Sequence, residues 1–221
     1  MLTKKEIRFC LDEMEQMFPN AHCELTHENP FELLIAVLLS AQTTDINVNR
    51  VTDDLFRKYK EPEDYLDVSL EELENDIRRI GLFRTKAKNI RNLCITLLED
   101  YEGVVPQTRE ALMHFPGVGR KTANVVMSVA FDHPAIAVDT HVERVAKRLA
   151  FCRWKDSTRQ VEDTLMKKIP EEEWSVSHHR FIFFGRYHCK AAKPNCPNCP
   201  LLSVCREGKK RTRQAEKKTG S

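Results

Sequence analysis

Apolar residues recur at helical spacing through almost the whole chain, and no stretch alternates apolar with polar over a strand's length. The expected fold is therefore all-α. Asn29-Pro30-Phe31-Glu32 carries a helix start: an N-cap residue, proline at the first helical position and glutamate three residues after the cap. The segment that follows, 31–40, is apolar on nearly every face, which suits a core rather than a surface. Ser69 to Glu72 reads as a second capping box, with Gly81 placed to end its helix. Ala87, Ile90, Leu93, Leu97 and Leu98 repeat at helical spacing up to Glu102, before Gly103. Thr108 opens a short helix that Phe115-Pro116 stops, and Ala123, Val126, Met127 and Ala130 mark the next. Thr140 and Glu143 box the start of another, running to about Ala150.

A chain of 221 residues has room for one or two domains and a sizeable core. The strongest apolar run, Phe31 to Leu39, is about half of the ~20 residues that span a bilayer. Met-Leu-Thr-Lys-Lys-Glu at the start lacks the apolar core of a signal peptide, so a cytoplasmic location is expected. Net charge is +2 but unevenly spread: from Arg186 to the end stand ten Lys/Arg and two Glu, +8, which leaves −6 for the first 185 residues. A basic end suggests a polyanionic partner. For the last ten residues alone, a solvated and disordered tail is the simpler expectation.

Cys10, Cys23, Cys94 and Cys152 are scattered, whereas Cys189-x6-Cys196-x2-Cys199-x5-Cys205 packs four thiols into one short stretch. In a cytosolic chain such a cluster points to metal more than to disulfides. Zinc accepts four cysteines and so does a [4Fe–4S] cluster, and the spacing alone does not separate them. Pro194, Pro197 and Pro200 stiffen the loop. Lys190 and Lys193 lie inside it, where a metal-tied loop can present them to phosphates.

The stretch Phe115-Pro116-Gly117-Val118-Gly119-Arg120-Lys121-Thr122-Ala123 turns sharply between two helices. Both glycines allow positive φ and leave no Cβ in the way of a ligand. The next helix opens at once, and its free N–H groups make an anion site. A DNA phosphate fits there without any base being read. Lys121, in the first turn, feels the positive helix end and neighbouring Arg120, and both effects favour the neutral, nucleophilic amine. Asp139, in Val138-Asp139-Thr140-His141, stands just before a helix and suits either a cap or a carboxylate that stabilises positive charge. One internal repeat accompanies this: Ile80-Gly81-Leu82-Phe83-Arg84-Thr85-Lys86-Ala87 resembles Pro116 to Ala123, which suggests two helix–turn–helix units.

Three signatures in order, Leu39-Ser40-Ala41-Gln42-Thr43-Thr44-Asp45, the Pro116–Ala123 hairpin with Val138-Asp139-Thr140-His141, and the four-cysteine spacing, resemble the bacterial endonuclease III family from about residue 5 to 211. The resemblance implies a two-lobed helix-hairpin-helix DNA glycosylase fold. One lobe is a six-helix barrel at 22–132. The other, from 1–21 and 133–211, holds one [4Fe–4S] cluster on Cys189, Cys196, Cys199 and Cys205. Residues 212–221 form a basic tail outside it.

The implied activity is base-excision repair of duplex DNA by a monomer. Oxidised or ring-saturated pyrimidines are removed, and the strand is cut at the abasic site through a Lys121 Schiff base, with Asp139 as the catalytic carboxylate. Flipping of the damaged nucleotide is implied too, with Gln42 and Leu82 filling the space it leaves. Gly117, Gly119, Arg120, Thr122, Lys190 and Lys193 are implied DNA contacts, and Asp45 and His141 possible pocket residues. Related adenine glycosylases generally lack the hairpin lysine. Thr43 departs from the small residue or cysteine often found there. A purine-specific enzyme on the same fold, a non-catalytic damage-binding module and a zinc-bound structural protein are the competing readings.

Overall fold

The computed structural model describes residues 1–219, and these contain α-helices, short 3₁₀ segments and one π-turn, with no strand among the described residues. In chain order the α-helices are α1 (Lys4–Met17), α2 (Pro30–Leu39), α3 (Asp45–Lys58), α4 (Asp64–Asp67), α5 (Leu70–Asp76) and α6 (Phe83–Tyr101). They continue as α7 (Arg109–Leu112), α8 (Arg120–Ala130), α9 (Thr140–Arg148), α10 (Thr158–Lys168), α11 (Trp174–Phe183) and α12 (Arg206–Thr219). No helix among the described residues is long and apolar enough to cross a membrane.

The chain forms two compact units, one from Met1–His22 with Pro134 onward, the other from Cys23–His133. In the second unit α2 is the central element. All its residues from Phe31 to Leu39 are buried, and α3, α6 and α8 pack around it. Its N-terminus is tightly closed: Asn29 Oδ1 accepts the Glu32 N–H at 2.9 Å, and the buried Glu32 carboxylate accepts the Glu28 N–H at 2.7 Å. A buried carboxylate is tolerated because it is hydrogen-bonded at a helix N-terminus.

In the first unit, Ile7, Leu11 and Met14 of α1 share one core with Val142 and Val145 of α9 and with Phe181 of α11. Arg180 of α11 pairs with Glu15 of α1 at 2.6 Å. After α11 the chain tightens into a π-turn at Phe184–His188, immediately before Cys189. Gly185 sits in that turn because a Cβ there would meet His141 Cβ at 3.0 Å and Arg144 Nη2 at 3.2 Å.

Four local expectations are corrected. α5 ends at Asp76, not at Gly81, and the left-handed residue of that turn is Leu82. The N-cap of α9 is Asp139 rather than Thr140, because a carboxylate one residue earlier already takes the first free N–H groups. Only Gly117 of the two hairpin glycines has positive φ. Residues 212–219 continue α12 instead of forming a disordered tail. That stretch is rich in good helix formers, and its first turn is anchored on Cys205 through the buried Gly208.

Candidate active site

The hairpin between α7 and α8 is built from a few buried apolar anchors and one obligatory glycine. Leu112, Phe115 and Val118 are buried beneath the turn. Thr108 caps α7 by accepting the Ala111 N–H at 3.3 Å, and Arg109 Nε donates to Asn124 Oδ1 of α8 at 2.7 Å. Gly117 has φ of 80°, and a Cβ there would stand 2.6 Å from Asn89 Nδ2. Gly119 is different. It is the N-cap of α8 in extended backbone, and nothing lies within 4 Å of where its Cβ would be.

No side chain caps α8, and no acidic residue occupies its first turn. Its leading N–H groups therefore face outward, beside an uncovered glycine, which is the geometry for an anion. Arg120 is half-buried, Lys121 exposed and Thr122 half-buried on this turn.

A second pair of loops lies in the same unit. Leu82 (φ 60°, ψ 30°) stands before α6 and is 61 % exposed. Gln42 has φ of 58° and is exposed as well. A left-handed conformation costs an L-residue about 1–2 kcal/mol, and for a bulky side chain it is uncommon enough to suggest a functional constraint. The two turns of the internal repeat thus differ: the left-handed position falls on Leu82 in one and on Gly117 in the other.

Lys86 of α6 ties this pair together. It is buried, and its ammonium donates to Leu39 O at 2.9 Å, Ala41 O at 2.6 Å and Thr43 Oγ1 at 3.4 Å. It therefore closes the C-terminus of α2 and holds the Gln42 loop against the start of α6. Burial pulls this ammonium below the usual lysine range. Sequence pattern alone does not mark Lys86, because a lysine in a helix ordinarily faces water. Its place in the repeat, opposite Thr122, is the available signal. Asp45 opens α3, partly buried behind the Thr44 cap.

In the other unit, α9 runs from Asp139 to the side chains that hold the cysteine loop. At its start, Asp139 Oδ1 accepts the N–H groups of His141 and Val142, both at 2.8 Å. Oδ2 receives no hydrogen bond among the described residues. His141 is half-buried, and Arg144 Nη2 donates to its Nδ1 at 3.1 Å. Burial, with help from Arg144, holds this histidine below its ordinary range despite Asp139.

Further along, Arg144 donates to Gly185 O at 2.8 Å and Cys189 O at 3.3 Å. One turn on, buried Arg148 donates to Lys190 O at 2.8 Å, Ala191 O at 2.7 Å and Cys189 O at 3.3 Å, and approaches Cys189 Sγ at 3.4 Å. Neither arginine stands out by residue type or spacing.

Cys189, Cys196, Cys199 and Cys205 line one small pocket with Leu149, Phe184 and Leu202. Burial raises the Cys196 and Cys205 thiols and pushes Cys199 up to about 11, and at all three the neighbouring thiols add to the effect. The Gly208 N–H donates to Cys205 Sγ at 3.2 Å. A Cβ on Gly208 would stand 3.3 Å from that sulfur, so the glycine permits the close approach. Among the described residues, no three His, Cys, Asp or Glu side chains form a ready site for a single metal ion. Lys190 and Lys193 are exposed on the loop.

The family described as "HhH-GPD superfamily base excision DNA repair protein" matches residues 35–171. Endonuclease III of Bacillus subtilis (strain 168) is 66 % identical over 214 residues, covering 97 % of this chain and 98 % of that protein. The chain belongs to the endonuclease III family. The Escherichia coli (strain K12) member is 46 % identical over 195 residues, covering 88 % of this chain and 92 % of its own. Among solved structures, a trapped endonuclease III–DNA covalent intermediate matches with a TM-score of 0.94 and 70 % identity, covering 96 % of this chain and 100 % of that one.

The two glycines of that hairpin are expected to respond differently to alanine. Gly117→Ala is expected to lose at least about 1–2 kcal/mol through left-handed strain, whereas Gly119→Ala stays within about 1 kcal/mol; chemical denaturation reads both. Equal losses would contradict the assigned backbone. Lys86→Met strands two carbonyls and is expected to cost about 1–3 kcal/mol, and an unchanged denaturation midpoint would remove its bridging role.

Proposed function

We propose that this base-excision repair enzyme is a bifunctional DNA glycosylase and abasic-site lyase in which Lys121 is the nucleophile and Asp139 the catalytic carboxylate. The observation that carries the reading is Lys121 exposed on the uncapped first turn of α8, in a chain of this family. A phosphate on the leading N–H groups sets the strand beside the lysine. Gly117, Gly119, Arg120 and Thr122 are the contacts of this hairpin. The Lys121 amine attacks C1′ as the base departs. The sugar ring opens to a Schiff base, C2′ loses a proton, and the 3′ phosphate leaves by β-elimination.

Asp139 opposes the positive charge that develops on the sugar. Capping α9 through Oδ1 fixes its carboxylate in place and leaves Oδ2 for that role. We assign oxidised or ring-saturated pyrimidines such as thymine glycol as the substrates, since such bases stack poorly and cost less to flip. The exposed, left-handed tips at Gln42 and Leu82 suit the filling of the vacated stack. Asp45 and His141 are assigned to the lesion pocket, and Lys190 and Lys193 to backbone phosphates.

The four cysteines suit a [4Fe–4S] cluster. They line one pocket with Leu149, Phe184 and Leu202, and four thiolates are the ligand set such a cluster takes. When bound, the cluster would cross-link the loop at four points, its cysteines binding as thiolates with their protons released to solvent. The residues 1–21 with 133–211, and 22–132, are assigned as the cluster and barrel domains.

Borohydride trapping on duplex containing thymine glycol tests the reading. Wild type is expected to give a covalent protein–DNA band and Lys121→Ala none. Asparagine caps a helix as well as aspartate does, so Asp139→Asn should keep the fold while base removal falls by roughly 10²–10³-fold. A band from Lys121→Ala would overturn the nucleophile, and wild-type rates in Asp139→Asn would leave that residue a cap alone. A band with a pre-formed abasic site but none with thymine glycol would keep the lyase and overturn the pyrimidine assignment.

A further inference from the structure

α12 carries a basic surface that neither the hairpin nor the cysteine loop accounts for. At about 100° per residue, Arg206, Lys209, Lys210, Arg213 and Lys217 fall within a sector roughly 100° wide. Together with Gln214 they line one shallow groove along the helix. Gly208 lies nearly opposite. It is buried against Leu202 and Cys205, with Leu202 Cδ1 3.1 Å from where a Cβ would stand. Arg211, also off the stripe, is paired with Glu207 at 2.7 Å. The docked face therefore fixes which way the cations point.

The arrangement is costly when unbound. Five neighbour pairs within the stripe, at three or four residues' separation, are like-charged, and each such pair costs a helix a few tenths of a kcal/mol, about 0.2–0.5. Arg206 acts on Glu6 of α1 electrostatically without an ion pair, and Lys209, Lys210 and Arg213 have no ion-pair partner among the described residues. A bound polyanion relieves all of these repulsions at once.

We infer that this face of α12 is a second, sequence-independent binding surface for the phosphate backbone of duplex DNA. From Arg206 to Lys217 the helix rises about 16 Å, close to the axial run of six successive phosphates of one strand, five steps of about 3.4 Å. A membrane surface fits less well. A helix lying on lipid needs large apolar residues opposite its charges, and α12 has Ala215 as its one apolar side chain besides glycine among the described residues. The surface would hold undamaged duplex loosely, so that the enzyme slides between lesions rather than dissociating. The inference rests on the DNA-repair reading for its choice of partner.

The test is the salt dependence of binding to an undamaged duplex. Full-length wild type is compared with Lys209→Gln/Lys210→Gln/Arg213→Gln, and with a control of equal charge change at exposed Lys60, Lys155 and Lys167. The slope of log K against log salt is expected to flatten by about 0.9 for each phosphate no longer neutralised, about 2.7 in all, in the α12 variant. The control should keep the wild-type slope. Circular dichroism and thermal melting establish that each variant is folded.

An unchanged slope in the α12 variant overturns the inference, as does equal flattening in the control, which would reduce the effect to net charge. Retention on phosphatidylglycerol vesicles that the α12 variant loses, with an unchanged DNA slope, would assign the face to lipid and overturn it too. Borohydride trapping by wild type separates these outcomes from failure of the repair reading itself.

Discussion

The carbonyls of Cys189, Lys190 and Ala191 converge on one side chain, the buried guanidinium of Arg148. A loop with three prolines and four cysteines has little regular structure to satisfy its backbone, and buried carbonyls left without donors are expensive. Arg148 supplies those donors from α9, and Arg144 repeats the device one turn earlier through Gly185 and Cys189. Hydrogen bonds to a charged donor are about twice as strong as neutral ones. The cysteine loop is thereby mounted on α9, and the same helix begins at Asp139. One rigid element thus sets both the loop that carries Lys190 and Lys193 and the carboxylate assigned to catalysis.

The unit from Cys23 to His133 uses the same principle with a different cation. Lys86 caps the carbonyl end of α2 and fixes the Gln42 loop. Two non-glycine residues, Gln42 and Leu82, are held there in left-handed backbone with their side chains exposed. Such strain persists only where the surroundings over-determine it. The fully buried α2 and the clamp at Lys86 provide that support. At the hairpin of α8, by contrast, the strained position belongs to glycine, and the helix end is left open. The rigid elements carry the cost, and the exposed ends are left available for a ligand.

Much of this is legible in the sequence because it depends on local chemistry. The cap at Asn29, the apolar α2 and the sharp turn at Gly117 follow from propensity and sterics alone. The four cysteines and Lys121 are identifiable by residue type and spacing. What escapes is non-local. Lys86, Arg144 and Arg148 act by reaching carbonyls that are about forty or more residues away in the chain, and nothing in their own segments marks them as buried. Asp139 reads as a candidate cap, yet the Thr140–Glu143 spacing places the helix start one residue late. Gly81 looks like a stop that the chain in fact makes earlier, and the left-handed residue falls on Leu82. The end of α12 reads as a tail, because charge density hides helix propensity when the docked Gly208 face is not visible.

Through Arg148, α9 holds the cysteine loop in place. Amide hydrogen exchange of Arg148→Met against wild type addresses it directly. Exchange is expected to quicken at Cys189, Asn195, Cys199 and Cys205, whose N–H groups bond within this segment, with protection unchanged from Cys23 to His133. Wild-type protection throughout the loop in Arg148→Met would contradict it.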